Sequence, residues 1–272
     1  MYLHRRNDMK QDFNYHTHTS RCGHAADASD EQYVQAAIEA GFKILGFSDH
    51  RPYRHYSKRT DRMDWFQLED YIASLKHLRE KYRDQIDIRI GFETEYFPQL
   101  QPEIDLLLAR GDVDYLILGQ HYWDYELAED FCRGGSEENL REYARLLEEG
   151  METGRFLYLA HPDYFLSGQK ELSEAGREVA HRLGRKAAET GTPVEINLNQ
   201  MRPERGRRNY PEGSWFPYPN RPFWEILSQY PLKCLYGFDA HYPGLLKDTF
   251  YMEEAEKELS GLNLTMIREP LI

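Results

Sequence analysis

Seven of the eleven histidines stand at, or a few residues beyond, the end of a short apolar run. They are His16, His18, His24, His50, His121, His161 and His241. Glu93 and Asp239 occupy the same kind of position. Imidazole and carboxylate together suit zinc, iron or manganese. One histidine in such a place is usually an ordinary hydrogen-bonded side chain, but this many at corresponding positions predicts a site for several metal ions.

Two features of this set favour metal binding over coincidence. The His16-Thr17-His18 spacing places both imidazoles on one face of an extended segment, because side chains alternate along a strand. Glu93 has two carboxylate oxygens and could therefore bridge two ions. The other four histidines are expected to be ordinary; they are His4, His55, His77 and His181.

Predicted strands and predicted helices alternate along the chain, and these elements must position the candidate ligands. Seven short apolar runs are bounded by polar residues, Gly or Pro, as buried strands are. They cover residues 13–16, 44–47, 86–92, 115–118, 156–160, 194–198 and 232–238. Stretches with helical periodicity lie between them, the first opened by a capping box from Ser29 to Gln32 and ended by Gly41.

Strands alternating with helices indicate a mostly parallel sheet. At this length, closure into a single barrel is the natural arrangement, and an open doubly wound sheet is the alternative. In both, ligands bind at the carboxyl ends of the strands, so the histidines and carboxylates converge on one face. No boundary divides the chain, and we predict a single domain over residues 1–272.

Composition narrows the class of function. The formal charge of −12, from 34 basic and 46 acidic residues, is poorly suited to binding nucleic-acid phosphates. No apolar window is long enough to span a membrane, and the first twelve residues lack a signal-peptide core. The three dispersed cysteines, Cys22, Cys132 and Cys234, are typical of a reduced, cytoplasmic protein.

The ordered set of motifs resembles the polymerase and histidinol phosphatase (PHP) superfamily. The motifs run from about residue 13 to 243, and each is weak alone. They are His16-Thr17-His18, Cys22-Gly23-His24-Ala25, Leu45-Gly46-Phe47-Ser48-Asp49-His50, Gly91-Phe92-Glu93, Gly119-Gln120-His121, His161-Pro162-Asp163 and Gly237-Phe238-Asp239-Ala240-His241. Within the superfamily the chain is most similar to the histidinol-phosphate phosphatases, through residues 48–53, 91–97 and 195–197 with Arg202.

This resemblance implies a distorted seven-stranded (β/α) barrel with three divalent metal ions, zinc, iron or manganese. Position by position, the first ion would be held by His16, His18, Glu93 and Asp239, the second by Glu93, His121 and His161, and the third by His24, His50 and His241. The implied activity is hydrolysis of L-histidinol phosphate in histidine biosynthesis, by a metal-activated hydroxide that attacks phosphorus.

Roles outside the metal ligands stay open. Four arginines lie in the loop 202–208, where guanidinium could bind phosphate or simply face solvent. We take Arg202, which matches the family position, and Arg205 as candidate substrate contacts. Asp49 and Asp163 are candidates for the general acid, although orienting a metal-bound histidine is the favoured role. Glu95 could attract a cationic amine or imidazole, or could support the metal site.

Three rival functions remain at this point. A phosphatase for another small phosphomonoester or for phosphotyrosine would keep every metal ligand. A nuclease or proofreading module is disfavoured by the negative charge. A regulatory protein that binds metal without catalysis would show tight metal binding and no turnover. The sequence does not predict the oligomeric state.

Overall fold

The structure is a computed structural model that describes residues 11–54, 61–126, 130–131, 135–202, 205–211, 213–248 and 250–272. His4, His55 and Cys132 lie outside these ranges. The strands are β1 (Phe13–Asn14), β2 (Ile44–Phe47), β3 (Asp87–Thr94), β4 (Tyr115–Leu118), β5 (Val194–Asn197), β6 (Arg208–Tyr210), β7 (Gly213–Trp215), β8 (Lys233–Gly237) and β9 (Thr265–Met266). The helices are α1 (Asp30–Ala40), α2 (Leu68–Tyr82), α3 (Gln101–Leu108), α4 (Glu137–Glu152), α5 (Glu174–Thr190), α6 (Arg221–Leu227) and α7 (Phe250–Glu258).

The central sheet is parallel and curls into a ring. Strands β1 to β4 pair in chain order, and β5 pairs with β8, which pairs with β9. Three isolated parallel bridges join the two sheets: Leu118 with Leu159, Leu159 with Val194, and Thr17 with Ala240. The ring confirms the predicted distorted barrel over an open doubly wound sheet.

The fifth predicted strand, over residues 156–160, is reduced to one bridge at Leu159. Its neighbours still bond to β4, through the N–H of Leu157 to the Leu116 carbonyl at 2.7 Å and the N–H of Ala160 to the Leu118 carbonyl at 2.9 Å. On the other side it faces Pro193, which has no N–H to donate and so shortens the ladder toward β5.

The hairpin β6–β7 and the edge strand β9 were not predicted. Each is two or three residues long and lacks a run of alternating apolar residues, so the sequence carries little strand signal there. The hairpin corrects the description of residues 202–208 as one loop, because Arg208 begins β6.

The capping box predicted at the start of α1 is present. In α1, the Gln32 side chain accepts a hydrogen bond from the Ser29 N–H at 2.8 Å, as the capping box requires. The Tyr115 side chain crosses the barrel interior, and its hydroxyl donates to the Tyr15 and Phe47 carbonyls at 2.7 and 3.0 Å. Among the described helices, none combines the length and apolar composition needed to cross a membrane.

Candidate active site

The nine side chains predicted as metal ligands meet at the carboxyl end of the barrel. They come from the residues that end or follow β1, β2, β3, β4, the Leu159 segment and β8. Seven of the nine are buried, whereas His24 is exposed and His241 is half-buried. A cavity of about 570 Å³ opens above them.

Glu93 lies at the centre of this group, 1% exposed. Its Oε2 faces three imidazoles, with His16 Nε2 at 3.3 Å, His18 Nε2 at 3.4 Å and His50 Nδ1 at 3.2 Å. Its Oε1 faces two others, His121 Nε2 at 3.3 Å and His161 Nε2 at 2.6 Å. The two oxygens of one carboxylate therefore face two different sets of histidines.

Asp239 completes the set around β1. Its Oδ1 lies 3.6 Å from His16 Nε2 and 3.2 Å from His18 Nε2. Burial opposes ionisation of Glu93 and Asp239, but the surrounding histidines hold the pKa of both carboxyls well below the usual range. Both groups are therefore carboxylates at neutral pH.

A third group lies toward the rim. His24 Nε2 and His241 Nε2 are 2.8 Å apart, and both rings pack near His50. The Nδ1 of His24 bonds to the Cys22 carbonyl at 3.2 Å, and that of His241 to the Asp239 carbonyl at 2.9 Å. A carbonyl only accepts, so each Nδ1 carries a proton, and in the neutral rings the two facing nitrogen atoms carry lone pairs.

Outer carboxylates fix two of the buried rings in the same way. Glu195 Oε2 accepts from His16 Nδ1 at 2.8 Å, and Glu95 Oε1 accepts from His121 Nδ1 at 3.0 Å. In the neutral form of each ring, the opposite nitrogen carries the lone pair and faces Glu93. This arrangement of a carboxylate behind a histidine is typical of metal sites.

The inward-facing atoms fit cations. Within the described part of the chain, His16 Nε2, His18 Nε2, His50 Nδ1 and Glu93 Oε2 are buried without a hydrogen-bond partner. A buried polar atom without a partner is costly, and lone pairs that face one another or a carboxylate oxygen repel. Four groups of three imidazole nitrogen or carboxylate oxygen atoms come within 4.8 Å of one another, and a fifth group includes Cys22 Sγ. Nitrogen and oxygen donors suit zinc, iron and manganese.

Two glycines make room for the carboxylates. A Cβ atom on Gly119 would lie 2.1 Å from Glu93 Oε1, and one on Gly237 would lie 2.1 Å from Glu195 Oε2. Both glycines belong to motifs singled out in the sequence, and the structure supplies their physical reason: any other side chain would displace the carboxylate.

Asp49 and Asp163 lie behind the cavity rather than on it. Asp49 accepts from the backbone N–H of Thr19 at 2.6 Å and from its hydroxyl. Asp163 accepts from the N–H of Asn220 at 2.7 Å and from Trp224 Nε1 at 3.0 Å. Burial raises the pKa of both carboxyls to about 7. Their contacts anchor the loop after β1 and the start of α6.

The four arginines of residues 202–208 do not all face the cavity. Arg202, Arg205 and Arg208 line the cavity. Arg202 is buried, and its Nε donates to the Asn199 carbonyl at 2.8 Å. Arg207 turns away and pairs with Glu258.

Some cavity-lining residues were not found from the sequence. Asp61, Tyr122, Asp130, Tyr164 and Tyr218 all contribute to the lining. They belong to no motif and come from connections between elements, so no sequence signal distinguished them. Glu95 does not line the cavity: it is 1% exposed and holds Arg62 Nη2 at 3.0 Å as well as His121.

Comparison with known proteins identifies the family. A family model described as the PHP domain matches residues 14–199, more than half of the chain. The chain belongs to the PHP domain family. It is 28% identical to a probable histidinol-phosphatase of Deinococcus radiodurans, over 90% of this chain and 91% of that protein. It is 33% identical to a histidinol-phosphatase of Bacillus subtilis, over 39% of this chain and 42% of that protein.

A solved PHP-family structure has the same fold. It is histidinol phosphate phosphatase from Lactococcus lactis, complexed with zinc, L-histidinol and phosphate. The TM-score is 0.68 at 18% identity, covering 94% of this chain and 95% of the other. The likeness confirms the barrel predicted from the alternating elements.

Proposed function

We propose that this PHP-domain protein is a metal-dependent phosphatase that hydrolyses L-histidinol phosphate to L-histidinol and phosphate. The observation that carries the proposal is the arrangement around Glu93, where five imidazoles face the two oxygens of one buried carboxylate. The names of the D. radiodurans and B. subtilis relatives, and the molecules bound in the L. lactis structure, support the substrate.

The site would hold three divalent ions, zinc, iron or manganese. The proposed ligands fall into three groups: His16, His18, Glu93 and Asp239; Glu93, His121 and His161; and His24, His50 and His241. When bound, such ions neutralise the charge of a phosphate ester and lower the pKa of water from 15.7 to roughly 7.

The remaining residues bind and orient. Arg202 and Arg205, which line the cavity, would bind phosphate oxygens through charged hydrogen bonds. Glu195 and Glu95 hold His16 and His121 in the tautomer that turns a lone pair inward. We further propose that residues 1–272 act as one domain on this small molecule.

The test is phosphate release from L-histidinol phosphate by protein whose metal content is counted by elemental analysis. We expect kcat/KM above about 10⁴ M⁻¹s⁻¹, the lower range of ordinary enzymes. Activity should disappear on chelation, return on adding metal back, and be absent in His16→Ala.

Two other outcomes would separate the parts of the proposal. If the protein holds roughly three metal ions per chain but releases no phosphate from this ester, the proposed metal site stands and the proposed substrate is wrong. Protein that binds no metal and stays inactive after reconstitution would contradict both.

A further inference from the structure

The cavity carries charged side chains of both signs beyond the proposed metal ligands. We call Arg202, Arg205 and Arg208 the arginine wall, and Asp61 and Asp130 the acidic wall. A phosphate ester needs positive charge, which the arginine wall and bound metal ions supply. The acidic wall repels phosphate, so its presence in the same cavity calls for a different explanation.

Tyrosines orient both carboxylates of the acidic wall. The Tyr122 hydroxyl donates to Asp61 Oδ2 at 2.7 Å. The Tyr164 hydroxyl lies 3.0 and 3.1 Å from the two oxygens of Asp130. Asp61 Oδ2 also pairs with Arg62 Nη2 at 3.3 Å, and the Asp61 side chain is still 26% exposed where it lines the cavity.

The backbone ties Asp130 to the metal-facing part of the barrel. Tyr122 and Asp130 form an antiparallel bridge, and the N–H of Phe131 donates to the His121 carbonyl at 2.8 Å. Asp130 is thereby held next to the strand end that carries His121. Its position is set by main-chain contacts as well as by its own side chain.

The two walls come from different parts of the chain. The acidic wall comes from the connections after β2 and β4, and the arginine wall comes from residues after β5, with Arg208 as the first residue of β6. One short 3₁₀ helix, Tyr164–Ser167, touches both: Tyr164 at its start holds Asp130, and the Ser167 carbonyl at its end accepts from Arg208.

We propose that the acidic wall binds a cationic group, ammonium or imidazolium, on the alcohol that leaves when the phosphate ester is hydrolysed. This assignment rests on the proposed function and adds a basis for substrate choice to it. A phosphate ester with a positive group gains from both walls, whereas one with a neutral or negative alcohol is repelled by the carboxylates. Glu95, the carboxylate first considered for this role, lies behind His121 and pairs with Arg62.

The experiment compares three aliphatic phosphate esters on the metal-loaded enzyme. L-histidinol phosphate carries ammonium and imidazole, O-phosphoethanolamine carries ammonium alone, and glycerol 3-phosphate carries neither. We expect the wild type to prefer the cationic esters. In Asp130→Asn and Asp61→Asn, kcat/KM for L-histidinol phosphate should fall about tenfold to a hundredfold, mainly through KM, because a charged hydrogen bond is lost. For glycerol 3-phosphate it should change by less than about twofold.

Two controls separate charge recognition from folding and net charge. Asp130→Glu keeps the charge and should restore part of the preference. Asp84→Asn removes one negative charge from a side chain that is 91% exposed, and should leave both substrates unchanged. Phosphoethanolamine shows whether the ammonium alone is recognised.

Each remaining outcome decides a separate claim. The proposed role of the acidic wall is wrong if the wild type shows no preference for cationic esters. It is also wrong if the Asn variants lose activity equally on all three esters. A preference for phosphoethanolamine that Asp130→Asn removes, with no hydrolysis of L-histidinol phosphate, keeps the acidic wall and contradicts the proposed substrate. If no ester is hydrolysed, the proposed function is wrong. Calorimetry then tests the acidic wall directly: if wild type and Asp130→Asn bind L-histidinol with equal affinity, the acidic wall does not bind the cationic group.

Discussion

The bottom of the cavity and its rim both hold charge, but they hold it differently. At the bottom, buried histidines and carboxylates stand at strand ends, and partners such as Glu195 and Glu95 fix their orientation. At the rim, Arg205 and Asp61 come from connections between elements, Arg208 begins the short strand β6, and all three remain partly or fully exposed. We therefore expect substitutions at the bottom of the cavity to lower the metal content, and substitutions at the rim to change substrate affinity.

The largest effect is expected at the carboxylate shared by both sets of histidines. Glu93→Gln replaces a charged oxygen by a neutral amide nitrogen that donates rather than accepts. We expect kcat/KM to fall at least about 10³-fold, the equivalent of several kcal/mol of lost charge stabilisation, together with metal content. Elemental analysis and phosphate release measure both. Full metal content with unchanged activity would contradict the central role of Glu93.

The next prediction concerns the space that Gly119 leaves for the Glu93 carboxylate. In Gly119→Ala the new Cβ would meet Glu93 Oε1 at 2.1 Å, so the carboxylate must move. We expect activity to fall about a hundredfold with partial loss of metal, because about 1 Å of misplacement costs this much. Gly191→Ala is the control: its φ of +70° strains the backbone, but nothing lies within 4 Å. It should lose stability and keep its metal.

A smaller effect at the bottom concerns orientation. Glu195→Gln keeps the shape of the side chain that holds His16 Nδ1 but removes its charge. We expect metal affinity to fall about tenfold to a hundredfold, as for other partners of metal-bound histidines. Competition with a coloured chelator measures the affinity. Because Glu195 does not line the cavity, KM measured at saturating metal should stay unchanged, and a rise in KM alone would contradict this role.

The smallest effect should come from Arg202, a buried arginine that lines the cavity, and should leave metal content intact. Arg202→Ala should raise KM for the phosphate ester about tenfold, since one charged hydrogen bond is lost. Arg207→Ala is the control, because Arg207 pairs with Glu258 away from the cavity. It should leave KM unchanged but lower stability, since the Glu258 side chain is 3% exposed and loses its cation. Equal KM values for the two variants would show that Arg202 does not bind the substrate.

The contrast between Arg207 and Arg208 shows why the rim resisted prediction. The two arginines are adjacent, yet Arg208 lines the cavity and Arg207 contacts Glu258. Side chains alternate in direction along an extended segment, so the onset of β6 at Arg208 separates the two neighbours. The short polar hairpin carries no pattern from which that onset could be read.

Asp61 and Asp130 escaped prediction for a related reason. Each lies in a connection rather than at a strand end, and each is oriented by a tyrosine distant in sequence. Only the folded chain brings Tyr122 to Asp61 and Tyr164 to Asp130. Glu95 is the converse case, because the sequence left two roles open and its contacts with Arg62 and His121 favour support of the histidine.

The sequence alone determined a mostly parallel sheet with candidate ligands at its carboxyl end, and the resemblance to the PHP superfamily implied the barrel. Apolar periodicity marks the strands, and a strand end puts the next side chains on one face whatever the loops do. The tertiary structure decided which imidazole nitrogen faces inward, which glycines give Glu93 and Glu195 room, and which charges line the rim. These depend on contacts between residues far apart in the chain, and local pattern carries no record of such contacts.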